Sequence, residues 1–253
     1  MQEPLRVSIV SYLNSTPFLH GLAQSPLSEQ LLISKDTPAV CSEKMLLGQA
    51  DIGLIPVATL KKIPTAAIFS NYCIGCDGAV SSVLLLSEVP LNSITAIVLD
   101  YQSRTSVQLV KVLASNHWNI TPEWRNGIPG YESEISGTQA AVVIGDRALA
   151  MKNEFEYVYD LGEEWKSMTG LPFVFAVWVA TKKLETSMIS EFNLAFKNGI
   201  DSIPDFCHSL VRPGLNDQTI RVYLQHYIQF EFGELQRKGL DLFQSYLRHL
   251  SLD

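Results

Sequence analysis

The sequence predicts an α/β fold with two lobes and a helical tail. Short β-rich runs alternate with helical runs over residues 5–181, a pattern typical of a parallel sheet covered by helices. The alternation comes as two successive sets, and residues 184–253 show helical patterns only. Two sets of this kind favour two lobes that close on a ligand by a hinge motion.

The long apolar run at 173–181 follows the second set, so it can return the chain to the first lobe. We therefore expect crossovers near 87–93 and 177–182. The corresponding division is lobe 1 at 1–90, lobe 2 at 91–177, and a return to lobe 1 with the C-terminal helices at 178–253.

Apolar and β-branched runs bounded by turn residues indicate the strands. They are expected at 5–10, 31–34, 51–55, 67–69, 80–87, 94–99, 140–144, 158–161 (an edge strand) and 173–181. A loop is expected at 71–78.

Helix starts and stops follow capping signals, such as Pro17 in a first turn and Gly48 after a last one. The helices are expected at 16–23, 37–47, 56–60, 105–115, 146–151, 162–169, 185–201, 204–210, 217–230 and 233–250.

Composition narrows the classes of partner. The 253 residues carry a formal net charge of -7, and the chain has no run of five basic residues. Nucleic acid and anionic membrane surfaces are therefore not expected partners, and an anionic ligand would need a local attractive feature. We expect a cytoplasmic location, because neither a targeting segment nor a bilayer-spanning apolar run is visible.

The four cysteines do not predict a metal site. Cys73 and Cys76 have the spacing of half a zinc site or a redox dithiol, but no second pair or nearby histidine completes a ligand set. Reduced thiols, either buried or in a loop, are the favoured interpretation.

Polar loops follow several predicted strands, where open α/β sheets bind ligands. The first, at 11–18, contains Ser, Asn and Thr but no titratable group apart from Tyr12, so it is suited to holding and orienting a ligand. The loop at 100–104 again separates a strand from a helix start and adds Arg104. Simple capping of the following helices is the alternative explanation for both loops.

Six stretches together resemble the menaquinone-biosynthesis chorismate dehydratase family of the futalosine pathway. They are SYLNSTPFLHGL at 11–22, ADIGLIPVATL at 50–60, GCDGAVSSVLLLS at 75–87, LDYQSRTSVQLVKVL at 99–113, VIGDRAL at 143–149 and DLGEEWKSMTGLPFVFAVWVA at 160–180. They occur in the family's order and span most of residues 5–181.

The resemblance implies an enzyme with a bilobal type II periplasmic-binding-protein-like fold. The implied reaction converts chorismate to 3-[(1-carboxyvinyl)oxy]benzoate and water, without metal or organic cofactor. Chorismate, a small dicarboxylate, is the implied partner, and no oligomeric state is implied.

The family's motifs also imply the site residues. Asn14 and Ser82 would be catalytic. The substrate-binding residues would be Ser11, Tyr12, Pro17, Ile55, Ser81, Ser103, Arg104, Thr105, Ser106, Gly145 and Asp146. Cys76 and Ala79 depart from the expected Ser and Pro, and Ser81 stands where Gly is common, which bears on pocket shape.

The general base stays open at this point. The histidines lie outside the matched loops except His20, which falls within a helix, and an aspartate such as Asp146 more often caps a helix than abstracts a proton. One hypothesis is that the enolpyruvyl carboxylate of the substrate takes the ring proton. Arg104 has two alternatives, a contact to a substrate carboxylate or an ion pair with Asp100 or Asp146.

Two rival functions follow from the same features. One is the later enzyme of the pathway, which forms 1,4-dihydroxy-6-naphthoate. The other is a non-catalytic protein that binds a small anion.

Overall fold

The computed structural model describes residues 3–250, and in that part of the chain the strands form two mixed sheets. The strands are β1 (Leu5–Val10), β2 (Leu31–Asp36), β3 (Ile52–Pro56), β4 (Ala67–Cys76), β5 (Val83–Ser87), β6 (Ala96–Leu99), β7 (Glu123–Asn126), β8 (Gln139–Ile144), β9 (Tyr157–Asp160), β10 (Phe173–Ala180) and β11 (Gln229–Glu231).

The α-helices cover the sheets and form most of the tail. They are α1 (Thr16–Ala23), α2 (Pro38–Leu46), α3 (Thr105–Leu113), α4 (Asp146–Met151), α5 (Leu161–Thr169), α6 (Thr186–Asp201), α7 (Ile203–Phe206), α8 (Asp217–Val222) and α9 (Glu234–Leu250). Short 3-10 and π turns also occur, among them Leu13–Ser15 before α1, Val57–Lys62 between β3 and β4, and Tyr223–Tyr227 after α8.

The first sheet has the order β11-β4-β10-β3-β1-β2, and the second has the order β7-β6-β8-β5-β9. β1 pairs in parallel with β2 and β3, whereas β10 runs antiparallel to β3 and β4. In the second sheet β6 is parallel to β7 and β8, and β5 is antiparallel to β8 and β9. The alternation predicted a parallel sheet, whereas each sheet combines parallel and antiparallel pairs.

The chain exchanges sheets earlier than the sequence predicted. β5 already belongs to the second sheet and β10 to the first, so the exchanges fall within residues 77–82 and 161–172 instead of 87–93 and 177–182. β10, which lies within the run at 173–181, belongs to the first sheet. The lobe limits at residues 90 and 177 stay predictions, and the sheet exchanges favour earlier ones.

Several predicted boundaries were wrong. β4 extends to Cys76, where a loop was expected at 71–78, and the strand predicted at 80–87 begins only at Val83. Ser81 has a left-handed φ of 62°, which ends the extended backbone there. The tail contains β11, because the helix predicted at 217–230 ends in the Tyr223–Tyr227 turn. β7 was also missed, since its short, largely exposed run carries no apolar alternation.

Two glycines let α1 and α6 approach closely. A Cβ on Gly21 would lie 1.9 Å from the Ala195 carbonyl oxygen, and one on Gly199 would lie 2.0 Å from that of Pro17. Only glycine permits this backbone contact. It fixes α1, and with it the loop that precedes the helix.

An ion cluster around Asp51, the residue before β3, ties the start of that strand to β1. Asp51 is 3% exposed and accepts the Arg6 backbone N–H at 3.0 Å, with Arg6 Nη2 at 2.9 Å and Lys182 Nζ at 2.8 Å from Oδ1. The Arg6 hydrogen bonds hold the pKa of this carboxyl well below its usual range, with Lys182 adding to the effect against the cost of burial.

We expect the Arg6–Asp51 pair to make the free energy of unfolding depend on pH in the acid range. Above the unfolded pKa of about 3.9 the stabilisation is complete, and it is lost as pH falls toward the lower folded pKa, because the unfolded state takes up the proton first. Asp51→Asn should lower the free energy of unfolding at neutral pH and reduce its decline at acid pH, which we call the acid limb. Urea unfolding at several pH values measures both effects. Glu154→Gln, which removes an exposed carboxyl, is the control. Equal acid limbs in Asp51→Asn and the wild type would contradict this assignment.

No helix within residues 3–250 is long and apolar enough to cross a membrane.

Candidate functional site

A cavity of about 60 Å³ lies between the two sheets, where strand ends meet. Parallel strands contribute their carboxyl ends, as at Val10, Pro56 and Ile144. β5 and β10 run the other way, so they contribute their amino ends. The lining residues are Val10, Tyr12, Asn14, Pro38, Pro56, Ile74, Val80, Ser82, Val83, Ser103, Arg104, Thr105, Ser106, Ile144, Gly145, Phe175 and Ala176.

The loop after β1 forms one wall. Ser15 fixes its shape, because its hydroxyl donates to the carbonyls of Val10 and, at 2.8 Å, Tyr12. These bonds hold the loop itself and do not cap α1, which has no side-chain cap hydrogen bond from Ser15. They leave the neighbouring Asn14 side chain directed at the cavity.

A buried tyrosine connects the two residues assigned as catalytic. Tyr223 is 2% exposed, and its hydroxyl donates to Ser82 Oγ at 2.8 Å while it accepts from Asn14 Nδ2 at 3.2 Å. Burial raises the pKa of this phenol well above its usual value. The phenol donates in this bond, so the Ser82 proton is not used in it and is available to another acceptor. Asn14 likewise retains Oδ1 as an acceptor.

Asp160 holds the loop that carries Ser82. Its Oδ2 accepts the backbone N–H of Ser81 at 2.6 Å, and its carboxylate accepts that of Val80 at 3.0 Å. The same side chain caps α5 by accepting from Gly162 and Glu163. Burial raises the pKa of Asp160, and the four backbone donors oppose that increase.

The start of α3 forms the opposite wall. Ser103 Oγ accepts the Ser106 N–H at 3.0 Å, and Thr105 Oγ1 donates to the Phe175 carbonyl at 2.9 Å. Both hydroxyls therefore serve backbone groups. What the wall offers an anion is the dipole of a nine-residue helix, with first-turn N–H groups other than that of Ser106.

Arg104 forms neither of the ion pairs considered from the sequence. Its Nη1 donates to the carbonyls of Tyr101 at 3.2 Å and Ser103 at 3.0 Å, on the exposed side of the loop. Asp100 instead pairs with Arg147 at 2.6 Å, and Asp146 pairs with Arg212 at 2.9 Å.

Asp146 links the walls from outside the cavity. Its Oδ1 accepts the Leu13 N–H at 3.0 Å, and its Oδ2 accepts from Arg212 Nε. Both oxygens are engaged and the residue does not line the cavity. A role as a proton acceptor there is disfavoured, while a role in joining the loop after β1 to the second sheet fits.

A second link runs through Tyr12. Its hydroxyl donates to Gln102 Oε1 at 2.5 Å, and Arg147 Nη2 reaches the same oxygen at 3.3 Å. Burial raises the pKa of both Tyr12 and the carboxyl of Asp100, although the charge of Arg147 opposes the effect at each. Gly145, with φ of 67°, lets the Tyr12 ring approach, since a Cβ there would lie 3.0 Å from the ring.

The structure brings eight of the thirteen predicted site residues to the cavity. They are Tyr12, Asn14, Ser82, Ser103, Arg104, Thr105, Ser106 and Gly145.

The other five lie outside it. Ser11 is exposed, and Pro17 and Ile55 are buried within α1 and β3. The Ser81 hydroxyl accepts from Lys152 Nζ at 3.0 Å, and Asp146 is placed as described above. The alternation of side chains along a strand explains Ile55, whose successor Pro56 lines the cavity.

Sequence reasoning missed Tyr223 and most of the apolar lining. Tyr223 is 141 residues from Ser82 and follows α8 in the tail, where no polar motif marks it. Ile74 and Phe175 belong to predicted loops or strands whose buried side chains look like ordinary core.

Titratable groups are scarce around the cavity. Of the described lining residues, Tyr12 and Arg104 are the titratable ones, and neither is an ordinary base at neutral pH. No cluster of three or more His, Cys, Asp or Glu suited to a metal ion occurs within residues 3–250.

A family model described as menaquinone biosynthesis matches residues 5–249. The chain belongs to this menaquinone-biosynthesis family. A chorismate dehydratase from Thermus thermophilus is 24% identical over 262 aligned residues, which cover 95% of this chain and 94% of that protein.

Solved structures of similar fold confirm the periplasmic-binding-protein-like architecture of this family member. A protein from Archaeoglobus fulgidus aligns with a TM-score of 0.77 at 12% identity, over 99% of this chain and 98% of that one. A Candida albicans protein described as having the generic periplasmic binding protein fold aligns at 0.61 and 10% identity, over 100% and 91%. The periplasmic aliphatic sulphonate binding protein of Escherichia coli aligns at 0.56 and 14% identity, over 97% and 93%.

In this family member the Cys73 and Cys76 thiols are buried. Burial raises the pKa of both, so they stay protonated and act as core residues. Cys76 Sγ packs where a Cβ on Gly162 would come within 2.6 Å. The departure of Cys76 from the expected Ser therefore lies behind the cavity wall and does not line it.

Proposed function

We propose that this chain is a chorismate dehydratase of the futalosine pathway, acting in the cytoplasm without metal or organic cofactor. The observation that carries the proposal is the Asn14–Tyr223–Ser82 chain of hydrogen bonds, which faces the start of α3 across one cavity. Family membership and the name of the Thermus relative support the choice of substrate.

The site offers complementary groups to a dicarboxylate. A carboxylate at the α3 N-terminus would meet the free N–H groups and positive end of the helix. The ring would then lie among apolar residues such as Ile74, Val83 and Phe175. Asn14 and Ser82 would face the ring hydroxyl and the enolpyruvyl ether.

The reaction removes one proton and one hydroxide from the ring. The C–H bond at the ether-bearing carbon breaks, its electron pair becomes part of the aromatic ring, and the C–O bond to the hydroxyl breaks to release water. Aromatisation supplies the driving force, so the protein mainly orients the substrate and stabilises developing charge.

We infer that the enolpyruvyl carboxylate of the substrate accepts the ring proton. The inference is supported by a described lining that contains no carboxylate, imidazole or amine, and by the engagement of both Asp146 oxygens elsewhere. Ser82 would donate a hydrogen bond to the leaving hydroxyl, which departs as water with the proton that the carboxylate has taken from the ring. Asn14 would position the enolpyruvyl group.

The direct test is incubation of purified protein with chorismate. We expect the aromatic product in the ultraviolet spectrum and a mass lower by one water. Turnover of cyclic dehypoxanthinylfutalosine instead would favour the naphthoate-forming enzyme. Tight binding of a small anion without product would favour a binding protein.

Tyr223→Phe tests the role assigned to the tyrosine hydroxyl. The ring is retained, so packing should persist, but Ser82 and Asn14 lose the bonds that orient them. We expect kcat to fall about tenfold, the worth of one to two kcal/mol of lost orientation, with a smaller change in KM. Steady-state kinetics measure both.

Tyr246→Phe serves as the matched control, because Tyr246 of α9 packs on Trp165 of α5 and does not line the cavity. Equal kinetics for Tyr223→Phe and wild type would contradict the role of Tyr223.

A further inference from the structure

A second cavity, of about 410 Å³, adjoins the first and is bordered by four basic side chains. They are Lys61 and Lys62 of the Val57–Lys62 turn, Arg104 at the start of α3, and Arg248 near the end of α9. We call it the basic groove. The described residues that line it include no carboxylate.

Hydrogen bonds between separate elements of the fold hold the basic groove in shape. Gln244 Nε2 of α9 donates to the Val57 carbonyl at 2.7 Å, which fixes the lysine-bearing turn against the last helix. The Ala58 N–H reaches Thr105 Oγ1 at 3.4 Å, which joins the same turn to α3. Three separate elements are thus held around one opening.

Its cations lack the partners found elsewhere. Within residues 3–250, nine of the lysines and arginines form ion pairs with carboxylates. None of the four around the basic groove is among them. Four unneutralised charges at one opening are notable in a chain with 26 acidic and 19 basic residues.

The two cavities meet at Arg104, which lines both. Its Nη1 is held by the Tyr101 and Ser103 carbonyls, beside the helix start that faces the first cavity. A negatively charged molecule in the basic groove therefore lies next to the wall where a carboxylate would bind.

We propose that the basic groove is an anion-recruiting site, which attracts the dicarboxylate substrate and delivers it past Arg104 to the cavity. The proposal rests on the proposed function, since it takes the substrate to be a dianion. A net charge of -7 repels such a molecule, whereas a local cluster of cations beside the cavity, at Arg104, raises its concentration there. The effect acts on capture, so it appears in kcat/KM and not in kcat.

The test removes charge from the basic groove and, separately, from elsewhere. The groove variant is Lys61→Gln/Lys62→Gln/Arg248→Gln, with Arg104 kept. The control is Lys35→Gln/Lys183→Gln/Arg221→Gln, three exposed cations that line neither cavity. Both variants have the same net charge, so a general field effect changes them equally.

We expect the groove variant to lose about three- to tenfold in kcat/KM for chorismate at low ionic strength, with kcat within about twofold of wild type. The deficit should vanish by roughly 0.5 M salt, where screening confines charge effects to a few ångströms. The control should lose clearly less. Equal losses in the two variants, or a loss that persists at high salt, would overturn the proposal.

Calorimetric titration with chorismate at low and high salt separates this proposal from the function. Salt-dependent binding that weakens in the groove variant, without product, would remove the dehydratase assignment and keep the recruiting site. Normal turnover with equal salt dependence in all three proteins would do the reverse. Absence of both binding and turnover would remove both.

Discussion

Ser82→Ala is expected to lower kcat for chorismate by two to three orders of magnitude, roughly the cost of deleting one donor that stabilises developing charge. Ser82 is the hydroxyl whose proton Tyr223 leaves free for the cavity. Asn14→Ala should produce a loss of similar size, since it removes the group placed against the enolpyruvyl ether. Steady-state kinetics with titration of chorismate binding measure these effects.

Asp146→Asn separates a protein base from a base supplied by the substrate. We expect a loss of less than about tenfold, because Asp146 accepts from Leu13 and Arg212 outside the cavity and the asparagine retains one acceptor oxygen. Abolished turnover in Asp146→Asn with chorismate still bound would show that a protein carboxylate takes the proton.

The control for serine removal in Ser82→Ala is Ser245→Ala, which removes a hydroxyl bonded to the Leu242 carbonyl in α9.

Asp160→Asn is expected to cause the largest loss of stability, about 2–4 kcal/mol, because one residue both caps α5 and receives the N–H groups of Val80 and Ser81. An amide has one acceptor oxygen, and its NH₂ group would face backbone donors. Urea unfolding at neutral pH measures the loss, and kcat should fall as well, since the loop that carries Ser82 is released.

The comparison variant for Asp160 is Asp217→Asn, which changes an exposed aspartate in the first turn of α8. We expect less than about 0.5 kcal/mol from it. If Asp160→Asn unfolded at the same urea concentration as the wild type, the assigned role of Asp160 in holding the loop would be wrong.

The two proposals concern interactions that act over different distances. The Asn14–Tyr223–Ser82 chain acts within the cavity, through single hydrogen bonds whose direction is fixed by one buried phenol. The basic groove acts over several ångströms, through charges that remain exposed to solvent. Salt therefore distinguishes them, since it screens the second and leaves the first nearly unchanged.

Local sequence signals were enough to predict the α/β class, most strands and helices, and two of the loops that line the cavity, at 11–18 and 100–104. These features rest on local signals, such as the apolar run at 5–10, Pro17 at a helix start and the polar loop that follows Val10. Local signals act over only a few residues. This explains why the predicted start of the strand at 80–87 was too early. The turn at Ser81 is imposed by Asp160, 79 residues away.

Only the tertiary structure decided which of these residues meet. Asn14 and Ser82 are joined by Tyr223, a residue of the tail that carries no motif, and the basic groove combines a turn, a helix start and the last helix. The antiparallel directions of β5 and β10 are also visible only in the tertiary structure, because strand pairing depends on neighbours that are distant in the chain. Contacts between residues more than a hundred positions apart depend on how whole sheets and helices pack, and a single sequence does not state that packing.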